Sequence, residues 1–352
     1  MLLHQKSQVI FWLACCAFLV FLMVILGGAV RLTGSGLSMV DWQPIVGIVP
    51  PFSEAGWVKA FEAYQRYPEY KLVNIGMSLS EFKFIYYMEY IHRLLGRIIG
   101  LVFFIPFMLF LSNGGLPSGL KRRLWVLLAL GACQGLMGWF MVKSGLVSDP
   151  HVSQYRLTAH LLLAVVIFVL LVRLIFGLIY SDDKYTKSSG SGQAFNARGV
   201  STGALLLTLL MITSGGFMAG TRAGYIYNTW PKMGQDWLPG MVWVLIPWWK
   251  NIFENPLTIQ FMHRWLAFAV AAVVIFLGVA VLRLEPRSLV RQLAGVVIAV
   301  VVVQIILGVS TLLGGVPALL GVVHQGTGLV LIGLIMAIWS AYLPPISHGS
   351  RL

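Results

Sequence analysis

Met-Glu-Tyr-Ile-His-Arg-Leu-Leu-Gly-Arg, residues 88–97, puts a glutamate, a histidine and two arginines at the mouth of a long apolar run. In a segment that otherwise reads as lipid-embedded helix, Glu89, His92 and Arg93 are costly to bury, and ionisable groups kept there are functional candidates by default. The pattern returns at residues 260–264, Gln-Phe-Met-His-Arg, with glutamine in place of the glutamate. That repeat, and its one difference, decide how the rest of the chain is read.

Outward from these stretches the chain is 58% hydrophobic and only 11% charged over 352 residues, with a mean hydropathy of +0.84. Such a composition cannot cover a soluble globule with polar surface. Eight apolar runs reach the ~20 residues needed to span a bilayer: roughly 10–30, 84–111, 124–142, 156–179, 200–219, 257–282, 293–313 and 318–342. The first is as long as a full span and ends in Gly-Gly-Ala-Val-Arg rather than a cleavage site, so it is read as a helix and not as a secretory signal. The predicted fold class is all-α, a polytopic membrane protein with eight transmembrane helices.

The net charge of +13 follows topology. Basic residues are scattered singly, without the stacking aromatics of a nucleic-acid site, so no nucleic-acid partner is expected. Lys121, Arg122 and Arg123 fall between helices two and three; Arg173, Lys184, Lys187 and Arg198 between four and five; Arg283, Arg287 and Arg291 between six and seven. Positive-inside bias then places these connections and both termini in the cytoplasm. Cys15, Cys16 and Cys133 lie within predicted helices, spaced neither as a disulfide framework nor as a metal site, and read as buried small apolar residues.

Residues 181–198 form a polar Ser/Gly-rich linker that splits the chain into four helices on each side, 1–180 and 199–352. Four is even, so the halves enter the membrane in the same orientation, and a parallel repeat of two pseudo-symmetric four-helix bundles is expected. Gly27-Gly28 and Gly215-Gly216 precede a tryptophan near a proline by the same interval, Trp42 with Pro44 and Trp230 with Pro231. Gln134 with Gly138 matches Gln304 with Gly308, His92 matches His263, and His160 matches His324. Asp149-Pro150, Asn255-Pro256 and Gly315-Val316-Pro317 read as helix starts with proline at the first helical position, and Ser78 with Glu81 as a capping box. These starts put all four histidines near the outer ends of even-numbered helices. The long connection 31–83 is rich in aromatics and prolines, and Ser53 is read as the cap of a short helix carrying Trp57, Phe61 and Tyr64, either an interfacial helix or a lid over an outward-facing site.

Two histidines per half, on helices able to face each other in a four-helix bundle, suit axial ligation of haem iron. Arg31 and Arg222 stand at corresponding places after helices one and five, and Arg93 and Arg264 follow their histidines; four guanidinium groups at the outer mouths suit anionic haem propionates or lipid phosphate. Glu89, three residues before His92, shares its helical face, whereas its counterpart Gln260 cannot titrate. An acid–base group is needed where chemistry happens, so the first half is read as the reactive site and the second as the cofactor site.

The strings Gly27-Gly28-Ala-Val-Arg31-Leu-Thr33-Gly-Ser35-Gly36-Leu-Ser-Met, Asp41-Trp42-Gln-Pro44, Pro50-Pro51, Pro68-Glu69-Tyr70, Glu81-Phe82-Lys83 and Glu89-Tyr-Ile-His92-Arg93, in that order, resemble the haem A synthases, especially their alphaproteobacterial and mitochondrial type. The resemblance covers nearly the whole chain. It implies an oxidoreductase that converts haem O to haem A for cytochrome oxidase by oxidising the C8 methyl to a formyl through successive hydroxylations. It implies His263 and His324 as ligands of a haem B cofactor, His92 and His160 as the lining of the haem O site, and Glu89 as a catalytic group. The implied partners are haem O, an unnamed electron donor, membrane lipid and haem O synthase upstream, with homo-oligomerisation left open. Many bacterial relatives carry a cysteine pair in the first outer loop; this chain has no cysteine there, which fits the mitochondrial type. The absence of an arginine-rich presequence points to a bacterial plasma membrane, with the haem sites toward the outer leaflet. The residues alone leave two rivals open, a dihaem electron carrier resembling a quinol-oxidising cytochrome b, and a transporter.

Overall fold

No water is available in a bilayer to satisfy a peptide group, so a chain this apolar must bond its backbone within helices. The computed structural model describes residues 3–40, 49–114, 116–147, 150–181 and 196–343. In chain order its helices are α1 (Leu3–Leu32), α2 (Glu54–Gln65), α3 (Pro68–Leu72), α4 (Leu79–Ser112), α5 (Ser118–Gly145), α6 (Gln154–Ile179), α7 (Ala197–Gly220), α8 (Lys250–Glu254), α9 (Pro256–Leu284), α10 (Ser288–Leu313) and α11 (Ala318–Ser340). Eight of them, all but α2, α3 and α8, are long and apolar enough to cross a membrane. The protein is an all-α, multi-pass membrane protein. Trp42, Pro44, Asp149 and most of the 181–198 linker lie outside the described residues.

Local chemistry sets the helix starts. Ser78 and Glu81 make the expected capping box at α4, and Asn255 caps α9 by accepting from the Leu257 N–H, with Pro256 at the first turn. Two starts differ from expectation. Pro150 is not helical: α6 begins at Gln154 after Ser153, whose N–H donates to Ser144 Oγ (3.1 Å). Pro317 is the residue before α11 rather than its first. With the later start of α6, His160 lies as far into its helix as His324 does into α11, and of the four predicted site histidines all but His92 fall within the first two turns of their helices.

In the first half α1 packs on α4 and α6, and α6 on α5; in the second α7 packs on α9 and α11, and α10 on both α9 and α11. The order of neighbours is the same, with one difference. α9 and α10 pack along their length, whereas α4 and α5 meet only sparsely. The halves join where α6 meets α7, α1 meets α11, and α6 meets α11. Between apolar helices in lipid, close approach of small residues replaces the hydrophobic effect as the driving force. Gly321, Gly326 and Gly333 of α11 lie against Leu32 and Ile25 of α1 and Phe168 of α6. Trp12 adds a polar tie: its indole N–H donates to Val102 O at 2.8 Å, the carbonyl that Pro106, four residues on and inside α4, cannot serve.

Outside the bundle, α2 lies on the N-terminal end of α4. Ser53 caps it as predicted, and Trp57 and Tyr64 are buried with Phe82 and Ile85 of α4, Phe61 packing beside them. The connection between α7 and α9 is held by side-chain amides: Asn251 bonds both the N–H and C=O of Leu245 and also Trp248 O, and Asn255 bonds Met241 O. The cysteines are free thiols, Cys16 buried as expected, Cys133 exposed on the bare face of α5.

A Cβ at Gly326 would run into Ile25 Cδ1. Gly326→Val should therefore push α11 off α1 and cost about 1–3 kcal/mol, the usual penalty of overpacking, read as earlier thermal loss of the monodisperse peak in size-exclusion chromatography.

Candidate functional site

The four predicted histidines share one local arrangement, each lodged against a glycine of the preceding membrane helix. A Cβ would lie 3.3 Å from His92 Nε2 if added at Gly27 and 2.9 Å from His160 Cε1 at Gly138. In the second half it would lie 3.6 Å from His263 Cε1 at Gly215 and 2.9 Å from His324 Cε1 at Gly308. The rings are brought together in pairs: His92 and His160 are close enough for their charges to interact, and so are His263 and His324. Gln134 Nε2 donates to His160 O at 3.1 Å, which ties the α5–α6 contact at that level.

Two of these rings carry a buried nitrogen that the chain does not satisfy. His160 Nδ1 and His324 Nδ1 find no hydrogen-bond partner among the described residues, and leaving such an atom unpaired costs about 1–3 kcal/mol. His263 is held differently: its Nδ1 lies 2.5 Å from Ser214 Oγ, which fixes the ring, and in the tautomer whose Nδ1–H donates to the hydroxyl Nε2 keeps its lone pair. Aligning Gly27-Gly28 with Gly215-Gly216 puts Leu26 where Ser214 stands, so His92 lacks that anchor. Paired, half-buried imidazoles, one in each pair with an unsatisfied buried nitrogen, on facing helices of a bundle, fit the donor set of a bis-histidine haem.

Glu89 is 3% exposed and fully engaged. Its Oε2 accepts from Ser38 N (2.8 Å), Ser38 Oγ (2.7 Å) and Met39 N (2.9 Å), and its Oε1 from Arg93 Nη2 at 2.5 Å. Arg93 also donates to Met39 O at 3.0 Å. Glutamate and arginine thus clamp the segment after α1 over the helix that bears His92. In the second half the polarity is reversed: Gln260 Nε2 donates to Tyr227 O (3.0 Å), the residue that matches Met39. Arg264 donates to Tyr227 O, Thr229 O and Lys232 O. Arg93 and Arg264 therefore hold the loops after α1 and α7 with donors that were expected to face an anion.

Arg31 and Arg222 are not equivalent in the backbone. Arg31 belongs to the last turn of α1 and in the glycine register faces Ala219, whose carbonyl accepts from its Nη2 at 2.9 Å. Arg222, with φ 55°, takes the left-handed position that Gly34 (φ 64°) fills in the first half, a conformation costing a residue with a Cβ roughly 1–2 kcal/mol. The two guanidinium groups are near enough to repel, and Arg31 Nε is buried with no partner among the described residues. Two cations brought together from opposite halves form a place for an anion.

Above Glu89, α3 carries a second buried carboxylate. Glu69 Oε2 accepts from Tyr64 Oη at 3.0 Å, and Tyr64 Oη accepts from Asn74 Nδ2 at 2.7 Å. Burial pushes the Glu69 carboxyl up to about 7, and the charge of Glu89 adds to this, against the lowering effect of the Tyr64 bond. Burial likewise pushes the Tyr64 phenol up.

Sequence reading brought out the histidines, Glu89 and the arginines, and missed Ser38 and Ser214. Their hydroxyls act only through neighbours distant in sequence, and isolated serines give no signal. The match of Gln134/Gly138 with Gln304/Gly308 was the one available hint of the glycine seats, because a residue four places after a glutamine shares its helical face.

The class of protein is now defined: an all-helical membrane protein whose polar side chains gather around two pairs of half-buried histidines at one end of its spans. Residues 10–336 match the family model described as COX15-CtaA, cytochrome oxidase assembly protein. The chain is 45% identical over 334 residues to the "Heme A synthase" of Nitrosospira multiformis, covering 95% of this chain and 92% of that one. It is 43% identical over 332 residues to that of Bradyrhizobium sp. (strain ORS 278), covering 94% and 90%, and 43% identical over 336 residues to that of Rhodospirillum centenum, covering 95% and 88%. The chain belongs to the COX15-CtaA family of cytochrome oxidase assembly proteins.

Because the folded Glu69 carboxyl binds its proton more tightly than an unfolded one, its contribution to stability is fully present below the unfolded value of about 4.3. That contribution is lost as pH rises through about 7. The outer cap should therefore resist proteolysis better at pH 5 than at pH 8, and Glu69→Gln should flatten that dependence, as peptide mapping of limited digests would show.

Proposed function

We propose that this chain oxidises haem O to haem A, converting the C8 methyl group to a formyl by successive hydroxylations, and so supplies haem A to cytochrome oxidase. The observation that carries this is the match of almost its whole length to relatives named for that activity. The residues present agree: each half offers a pair of half-buried histidines, one of which, His160 in the first half and His324 in the second, has a buried Nδ1 with no hydrogen-bond partner among the described residues.

On this reading residues 1–180 hold the substrate between His92 and His160, and residues 199–352 hold a haem B on His263 and His324, with 181–198 joining two bundles of one repeat. Three asymmetries support the assignment. Ser214 anchors His263 where Leu26 leaves His92 unanchored, as befits a resident ligand and one that meets a substrate. Glu89 is an acid and Gln260 is not. The sparse α4–α5 contact leaves the first half open to the bilayer, from which a prenylated porphyrin would come.

A bound haem B supplies a one-electron redox centre in the second half. Glu89, with Ser38, Met39 and Arg93, closes the outer side of the first site and orients the helix face of His92. It takes up a proton from the reacting edge when one of its four donors moves away. Arg31 and Arg222 attract the carboxylates of the porphyrin edge, while Arg93 and Arg264 set the loops that border it. The protein would lie in a bacterial plasma membrane with both termini cytoplasmic and both sites toward the outer leaflet. Haem O synthase would provide the substrate, and a separate donor the electrons.

Haem extraction and chromatography from haem O-producing cells should show haem A only when this chain is expressed. His92→Ala should abolish it while purified protein keeps haem B, and His263→Ala or His324→Ala should remove haem B as well. Protein that binds haem B yet leaves haem O untouched with reductant supplied would identify a dihaem electron carrier instead. Glu89→Gln should slow haem A formation at unchanged haem B content; a normal rate would take the carboxylate out of the mechanism. Ser214→Ala should weaken haem B retention about 10–100-fold, the usual cost of losing a partner that orients a metal ligand, measured by titrating apoprotein with haem.

A further inference from the structure

The double glycines of α1 and α7 do two jobs. Gly27 receives His92 of its own half, and Gly28, the next residue, faces the other half: a Cβ there would lie 2.7 Å from Gln325 Oε1. Gln325 follows His324 directly, and its Nε2 donates to Val24 O of α1 at 2.7 Å. Gly215 and Gly216 repeat the arrangement, Gly215 receiving His263 and Gly216 facing Thr158, two residues before His160. There the similarity ends. Thr158 is 2% exposed, and its hydroxyl has no hydrogen-bond partner among the described residues. One crossing between the halves is hydrogen-bonded and the other is only packed.

We propose that the contact from His324 through Gln325 to Gly28, Gly27 and His92 is the electronic bridge between the two halves, with Gln325 as its positioning residue. The proposal rests on the assignment of a resident haem to the second half and the substrate haem to the first. The step it serves is a single electron transfer: a ferrous b-type haem loses one electron, a ferric haem O gains it, no bond forms or breaks and no proton moves. Gln325 contributes by closing the gap between α11 and α1 with a bond to a backbone carbonyl one helical turn before Gly28. The segment from Val24 to Gly28 then leads along α1 to the seat of the His92 ring. Covalent bonds, one hydrogen bond and two van der Waals contacts complete the route. The second crossing lacks a hydrogen bond and conducts less well.

The experiment uses the purified full chain with haem B bound, reduced with dithionite, freed of excess reductant and mixed anaerobically with ferric haem O in a stopped-flow absorbance instrument. Gln325→Leu should slow oxidation of the ferrous haem severalfold. Gly28→Ala should do the same, because the added methyl displaces only the end of a flexible side chain. Thr158→Val should leave the rate at its original value. In all three the haem B content and midpoint potential should stay unchanged, a readout that a purely structural role for Gln325 would move. Gln325→Leu transferring at the original rate with both haems bound would overturn the proposal, as would an equal slowing by Thr158→Val or a loss of haem B from Gln325→Leu. Failure of the underlying assignment has a different appearance: protein that retains haem B after His263→Ala and His324→Ala has its resident haem elsewhere, whatever the transfer rates.

Discussion

The seat of an imidazole on a glycine is the contact on which the bundle depends. An aqueous protein can leave a histidine at its surface, but a helix in lipid must give the ring a place inside the bundle. A residue with any side chain at Gly138 or Gly308 would occupy the space of the ring itself, its Cβ 2.9 Å from a ring carbon. The glycine removes that obstacle and lets the two helices close around the ring, so the position of each histidine and the spacing of its helix pair are set together. Four such seats, at one end of the spans, fix how α1, α5, α7 and α10 stand against α4, α6, α9 and α11. At two of these seats a buried Nδ1, that of His160 and that of His324, is left without a partner among the described residues.

Around that constraint the halves differ in the loops that follow α1 and α7. Both use the arginine after the first histidine of the pair to grip a loop carbonyl, Met39 in one case and Tyr227 in the other. The residue three places before the histidine then settles the sign of the remaining contact. Glu89 accepts from backbone and hydroxyl donors, and Gln260 donates to a carbonyl. A carboxylate gripping N–H groups can change its charge and loosen the loop; an amide gripping a carbonyl cannot. The half with the changeable clamp also has the unanchored histidine and the looser α4–α5 contact, three features that the proposed substrate site would need in order to admit and release its ligand.

Much of this was legible in the sequence. Length and hydropathy of the runs give the eight spans, because a bilayer imposes a minimum length that few other environments share. The histidines and Glu89 are visible because ionisable groups are rare in such runs. Helix ends were read less well where proline was taken as the first helical residue: at Pro150 the chain bends and Ser153 precedes the helix instead. The arginines were legible as charges but not as partners. Arg31 and Arg222 looked equivalent by their places just after helices one and five, yet Arg31 follows Gly27 by four residues and Arg222 follows Gly215 by seven, and the left-handed backbone shared by Gly34 and Arg222 bears out that register. Ser214 and Gln325 were illegible, since their meaning comes from the ring and the carbonyl they meet across helices.

The glycine pairs explain why the two halves cannot be considered separately. On α1, the residue that seats His92 is covalently joined to the residue that faces Gln325, one position from His324. Successive residues on a helix point about 100° apart, so one pair of glycines opens two faces at the same height, one toward its own bundle and one toward the other. Any change that tilts α1 to admit a ligand beside His92 must also alter its contact with α11 beside His324. Helix α7 imposes the same link between His263 and the α6 turn that leads to His160. Adjoining glycines at the shared seam place the two histidine pairs in mechanical contact, with Gly27 and Gly28 against His92 and Gln325 and Gly215 and Gly216 against His263 and Thr158.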